Sequence, residues 1–161
     1  MKTLDDLFEH QIQDLYSAEE QLIKALPKMA AKSNDAELEK ALNKHLEETK
    51  THLDRVKSIC DHLNISGQGE KCLAMEGLIK EAEHFMDEDM EEDILDAGIV
   101  AEAQRIEDYE ISAYGTAARF AKELGYDDVA STLKTTLDEE YHADGKLTTI
   151  AEKRLNQQAK S

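Results

Sequence analysis

Residues 129–150 read VASTLKTTLDEEYHADGKLTTI, and their spacing decides the fold. At the helical repeat of about 3.6 residues, Val129, Leu133, Thr136, Glu140, Asp144 and Leu147 fall on one stripe. The stripe is apolar at both ends and acidic in the middle. A carboxylate on a buried face is costly unless it is paired, protonated or bound to a metal.

Three segments upstream repeat the pattern. Ile99, Ala103, Ile106, Glu110, Ala113 and Ala117 form a second stripe, with Glu107 one turn before Glu110. Leu42, His45, Thr49, His52 and Val56 form a third, with Glu48 beside it. In the first segment Glu19 follows Ala18 and lies a turn from Leu15 and Leu22. One proline, no tryptophan and an excess of Ala, Leu, Glu and Lys suit helices, and no segment alternates as a strand would. The chain is expected to be all-α and a single domain over 1–161, with helices at about 4–32, 35–63, 74–86, 91–124 and 127–155. Thr3 with Asp6, the cluster Ser33-Asn34-Asp35, and Gly125 mark helix ends, and Pro27 is expected to kink the first helix.

Loop lengths give the topology. Short links near residues 34 and 125 make two antiparallel hairpins. The link from residue 64 to about 90 carries a short helix and can run back along helices of roughly 40 Å. The expected architecture is therefore a ferritin-like antiparallel four-helix bundle with a long crossover carrying a short fifth helix. Folding each hairpin at its turn places Glu19 level with residue 49, and Glu110 level with residue 140. A weak internal repeat, His45-Leu46-Glu47-Glu48-Thr49 against Thr136-Leu137-Asp138-Glu139-Glu140, would bring two acidic centres together.

Glu19, Glu48, His52, Glu107, Glu110, Glu140 and Asp144 are thus the candidate metal ligands. Carboxylate and imidazole donors suit iron, manganese or zinc, and two metal ions would let several acids share one interior. The helical pairs are Glu48-x-x-x-His52 and Glu140-x-x-x-Asp144, which share a face at i, i+4. Glu139-x-x-His142 has the usual ferritin-like spacing but sits off the stripe. The alternative is a metal-free acidic bundle, in which Glu19, Glu48 and Glu107 are solvated flanks. His10, His45, His62, His84 and His142 read as surface or satisfied side chains. Tyr16 and Tyr109 read as core residues that can also bond to a ligating carboxylate.

With 36 acidic and 19 basic residues the formal net charge is −17. Such a surface repels nucleic acid and anionic membrane, so a DNA-protecting function fits poorly. No apolar run reaches the length of a transmembrane helix, and the early acids of MKTLDDLFEHQIQDL exclude a secretory signal. Cys60 and Cys72 read as reduced thiols of a cytoplasmic protein, with a short-loop disulfide as the alternative.

Several runs carry a resemblance in order along the chain. They are Asp14-Leu15-Tyr16-Ser17-Ala18-Glu19, His45 to Thr49, Lys71-Cys72-Leu73-Ala74-Met75-Glu76-Gly77-Leu78, Glu107 to Thr116, and Leu137 to Glu140 with Asp144. Through them the sequence resembles the YciE/YciF-type bacterial stress proteins, a ferritin-like family. The resemblance implies a homodimer in a bacterial cytoplasm and a di-metal site at Glu19, Glu48, Glu107, Glu110, Glu140 and Asp144. Two functional readings follow. One is a redox di-metal protein consuming dioxygen or peroxide, with ferrous oxidation or peroxide removal as the chemistry. The other is a structural or interaction protein on a ferritin-like scaffold.

Overall fold

A computed structural model describes residues 1–160. Among them the regular structure is helical: α1 (Leu4–Lys32), α2 (Ala36–Leu63), α3 (Leu73–Met86), α4 (Glu92–Glu123) and α5 (Asp127–Ile150). A wider π turn, Ala151–Leu155, and a last helical turn, Asn156–Gln158, follow α5. No helix among the described residues is long and apolar enough to cross a membrane.

Local chemistry sets the ends. Thr3 Oγ1 accepts from the Asp6 amide while the Asp6 carboxylate accepts from the Thr3 amide, closing a capping box. The Asp35 carboxylate accepts from the amides of Glu37 and Leu38 at the start of α2. Asn64 ends α2 at φ 54°, in the left-handed region that asparagine tolerates better than most residues. Gly125 takes φ 82° after α4, and the Tyr126 amide bonds back to the Ala121 carbonyl.

The crossover can be followed rung by rung along α1. Gln13 bonds to the Ser66 carbonyl, Gln21 to the Cys72 carbonyl, Lys28 to Glu83 and Lys32 to Asp87. The chain thus returns to the α1–α2 turn before α4 begins. There Asp96, buried near the start of α4, accepts from the Asn34 amide at 2.8 Å. So α2 and α4 start at the same end and run the same way. At the opposite end Tyr126 bonds to Asp5 and packs on Phe8. The helices α1, α2, α5 and α4 contact one another in a ring, and α3 lies against α1 and α4.

The apolar interior is in two parts. One holds Leu22, Leu26, Leu42, Ile99, Ile106 and Leu147, and the other holds Ile12, Leu15, Val56, Ala117 and Leu133. Between them lies a polar layer from all four ring helices.

Candidate metal centre

The polar layer is made by residues at mid-helix. Glu19, His52, Glu110 and Glu140 are fully buried, Glu107 is 2% exposed and His45 5% exposed. Their donor atoms form two groups. His45, Glu107, Glu110 and Glu140 make one, and Glu19, His52 and Glu140 make the other, each with one ligand atom per residue within 4.8 Å of the rest. Glu140 belongs to both, so the two groups meet at its carboxylate.

The contacts inside the layer are close but poorly matched. His45 Nε2 is 2.9 Å from Glu107 Oε1 and 3.8 Å from Glu140 Oε2. His52 Nδ1 is 2.9 Å from Glu140 Oε1 and 3.8 Å from Glu19 Oε1. Yet nine side-chain N and O atoms here, all from these six residues, are buried without an aligned hydrogen bond. Among the described residues no other side chain holds a buried orphan atom. Each such atom costs about 1–3 kcal/mol, and more if charged. Imidazole and carboxylate lone pairs crowding one space without bonding one another are the donor set of iron, manganese or zinc. The residues present therefore fit a cation.

Electrostatics agree. Burial, reinforced by Glu140, pushes the Glu19 carboxyl up to about 8. Burial and the neighbouring carboxylates push Glu110 and Glu140 well above the ordinary range. Burial alone would lower the His45 imidazole, but Glu107, Glu48 and Glu140 together hold it well above its usual value. A bound cation would replace protons as the neutralising charge.

A supporting set surrounds the donors. The Tyr114 hydroxyl donates to Glu19, and its ring lies edge-on to His52 at 6.2 Å. Glu139 Oε2 is 2.9 Å from His52 Nε2 and also takes an ion pair from Arg55 at 2.5 Å. Arg55 first, then His52, hold the Glu139 carboxyl below its ordinary value, so it is ionised and accepts. That fixes the proton on Nε2 and leaves Nδ1 bare toward the centre. Arg55 also donates to Thr136 Oγ1 at 3.1 Å.

The structure brings together Glu19, His52, Glu107, Glu110 and Glu140 of the sequence candidates. Of the other two, Glu48 lies at the edge of the group and Asp144 apart from it. Glu48, one position round the helix from the stripe, is partly exposed, paired to Lys44 at 2.6 Å and 3.7 Å from His45 Nδ1. His45 first, with help from Lys44, lowers its carboxyl to about 2. Asp144, half-buried, faces α4 and accepts from Gln104 Nε2 at 2.8 Å. One expectation is corrected: His45 is neither on the surface nor satisfied, because its place on the Leu42–Val56 stripe turns it inward onto Glu107. Tyr109 bonds to Asp14 and to Cys72 Sγ rather than to a donor of the centre, and Tyr114 takes the supporting place. Cys60 and Cys72 are both free thiols and both buried.

Residues 3–160 match the family described as Domain of unknown function (DUF892). Protein YciF of Escherichia coli K12 is 41% identical over 100% of this chain and 98% of its own. The crystal structure of the E. coli stress protein YciF covers 97% of this chain and 99% of that one, with a TM-score of 0.93. YcfI from Rhodopseudomonas palustris, described as a candidate structural protein, is 43% identical over 94% and 96% of the two chains, with a TM-score of 0.91. A Xanthomonas campestris protein 20% identical over 99% of this chain shares the fold at a TM-score of 0.78.

Proposed function

Because the chain belongs to the DUF892 family, and its described buried orphan atoms all converge on one layer, we propose that it is a dinuclear metal protein. The ring of four helices with its crossover is read as a single ferritin-like four-helix bundle over 1–161. Glu19, His45, His52, Glu107, Glu110 and Glu140 hold two cations, iron or manganese before zinc, with Glu140 shared. Glu48 lies next to the set, and Asp144 stays outside it. The cations would supply one-electron chemistry toward dioxygen or peroxide.

The chain's own residues have separate tasks. Glu140 and Glu110 bring negative charge from α5 and α4 to the middle of the layer. Glu139 orients His52, and Tyr114 holds Glu19 by one oxygen. The two apolar parts of the interior exclude water above and below. Two buried thiols suit a reducing compartment, and the likeness to the E. coli stress protein carries the rest of the reading, a homodimer in a bacterial cytoplasm.

The test is metal content by mass spectrometry, on protein grown with iron and manganese and purified without chelator. About two cations per chain are expected, lost in Glu110→Ala/Glu140→Ala. Wild-type protein that neither carries nor takes up either metal would leave the scaffold reading, in keeping with the structural role suggested for the Rhodopseudomonas relative.

A further inference from the structure

The two donor groups meet solvent differently. Glu19, His52 and Glu140 are wholly buried, and Tyr114 and Glu139 lie against the outer sides of Glu19 and His52. The other group opens on a cavity of about 360 Å³ between α2 and α5. His45 and Glu107 form its buried end, and Leu42 and Leu147 line its walls. His45 Nδ1 has no aligned hydrogen bond and points the way of Glu48, at the rim.

In a molecule of net charge −17 the rim carries three lysines against two glutamates, Glu37 and Glu48, an excess of one positive charge. Lys40, Lys44 and Lys146 all border the cavity. Lys44 is tied to Glu48 at 2.6 Å and Lys146 to Glu37 at 2.8 Å. Lys40 is exposed and makes no ion pair among the described residues. The inner walls are apolar, His45 and Glu107 lie at the buried end and charged side chains crowd the mouth, in a volume large enough for a small ligand. Lysines at its mouth would raise the local concentration of anions.

The geometry points to a small-anion site: a monoanion of the size of azide or formate enters past Lys40 and comes to rest at the His45–Glu107 end of the cavity, while the Glu19–His52 side stays closed. This rests on the dinuclear reading, since Glu107 would repel an anion unless a cation stood beside it. The two metal positions are thereby unequal, one open to exogenous ligands and one shut, the contrast that separates reactive from structural positions at metal sites generally.

The test uses the full-length chain loaded with cobalt(II), whose visible absorption reports its ligands, and azide as the anion. Wild-type protein is expected to bind near two cobalt ions and to give a saturable azide-dependent change. Ala143→Trp, which fills the cavity from α5, should keep the cobalt and lose the azide response. Lys40→Glu should keep both and raise the azide dissociation constant about threefold at low salt, the size expected of exposed charge. The charge reversal Lys24→Glu, on α1, should leave it unchanged. If Ala143→Trp fails to fold, the two surface variants decide. Equal azide binding in wild type, Lys40→Glu and Lys24→Glu would overturn the proposal, as would a full azide response in cobalt-loaded Ala143→Trp. Cobalt-loaded wild type blind to azide would sink this inference alone. Wild type that takes up no cobalt would sink the dinuclear reading and this inference with it.

Discussion

Each donor at the centre stands where helical spacing put it, and its neighbours decide its chemistry. His52 shows this. Its Nδ1 faces Glu140 while Nε2 is held by an ionised Glu139, which Arg55 anchors from outside. Glu139→Gln keeps the shape but weakens both the ion pair and the acceptor. Manganese affinity should fall about ten- to a hundredfold, measured by competition with a chromophoric chelator, with the helical circular dichroism unchanged. Unchanged affinity would mean that Glu139 does not orient the ring. The candidate acids were visible in the sequence because a charge on an apolar stripe is conspicuous. His45 lay on the same stripe, but a histidine there is more commonly a satisfied side chain, and only the turn of α2 toward Glu107 shows otherwise. Tyr114 could have been found as the residue one turn beyond Glu110. Glu139 stood out only as half of the Glu139-x-x-His142 spacing, and its place behind His52 was not legible, because its partners Arg55 and His52 come from another helix.

Among the elements, periodicity identified the all-helical class, and caps identified ends where side chains bond to their own turn. Less legible was anything set by contact between helices. The π turn at Ala151–Leu155 is one example. The wider turn was not legible in the apolar spacing, and within it Leu155 is turned to the interior, 1% exposed. The seating of α3 is another. A Cβ on Gly98 of α4 would come within 2.0 Å of the Phe85 ring, so the two helices approach through that glycine. Gly98→Ala should destabilise the protein by about 1–3 kcal/mol in urea unfolding, as overpacking does. A second change, Phe85→Leu, should recover part of the loss. Full stability in Gly98→Ala would show that the ring moves aside freely.

For the whole molecule, the charges of the layer set how stability follows pH. Unfolded, Glu19, Glu110 and Glu140 titrate near the ordinary carboxylate value. Folded without metal, burial raises all three, Glu19 to about 8. Their contribution is complete below about pH 4.5 and declines as pH rises, because the unfolded chain releases protons that the folded chain keeps. His45, also raised, acts in the same direction, while His52, lowered mainly by burial, opposes it. Metal-free protein should therefore melt at a lower temperature at pH 8 than at pH 5.5. Glu19 alone, raised from 4.5 to about 8, accounts for a loss on the order of 5 kcal/mol across its full span. Saturating manganese should flatten the dependence. A metal-free melting temperature that rises with pH would refute the assignment of these carboxyls as protonated in the apo state.

The interior divided by a charged layer also bears on how much of the protein a cell would hold. A ligand that binds only the folded chain adds stability as the logarithm of its free concentration over its dissociation constant. A chain whose middle is costly without cations depends on that increment more than one with a continuous apolar core. When the cation is scarce, more of the population would visit opened forms that proteases cut. Under the dinuclear reading, abundance would then follow metal supply without any change in transcription, with turnover acting as the gauge.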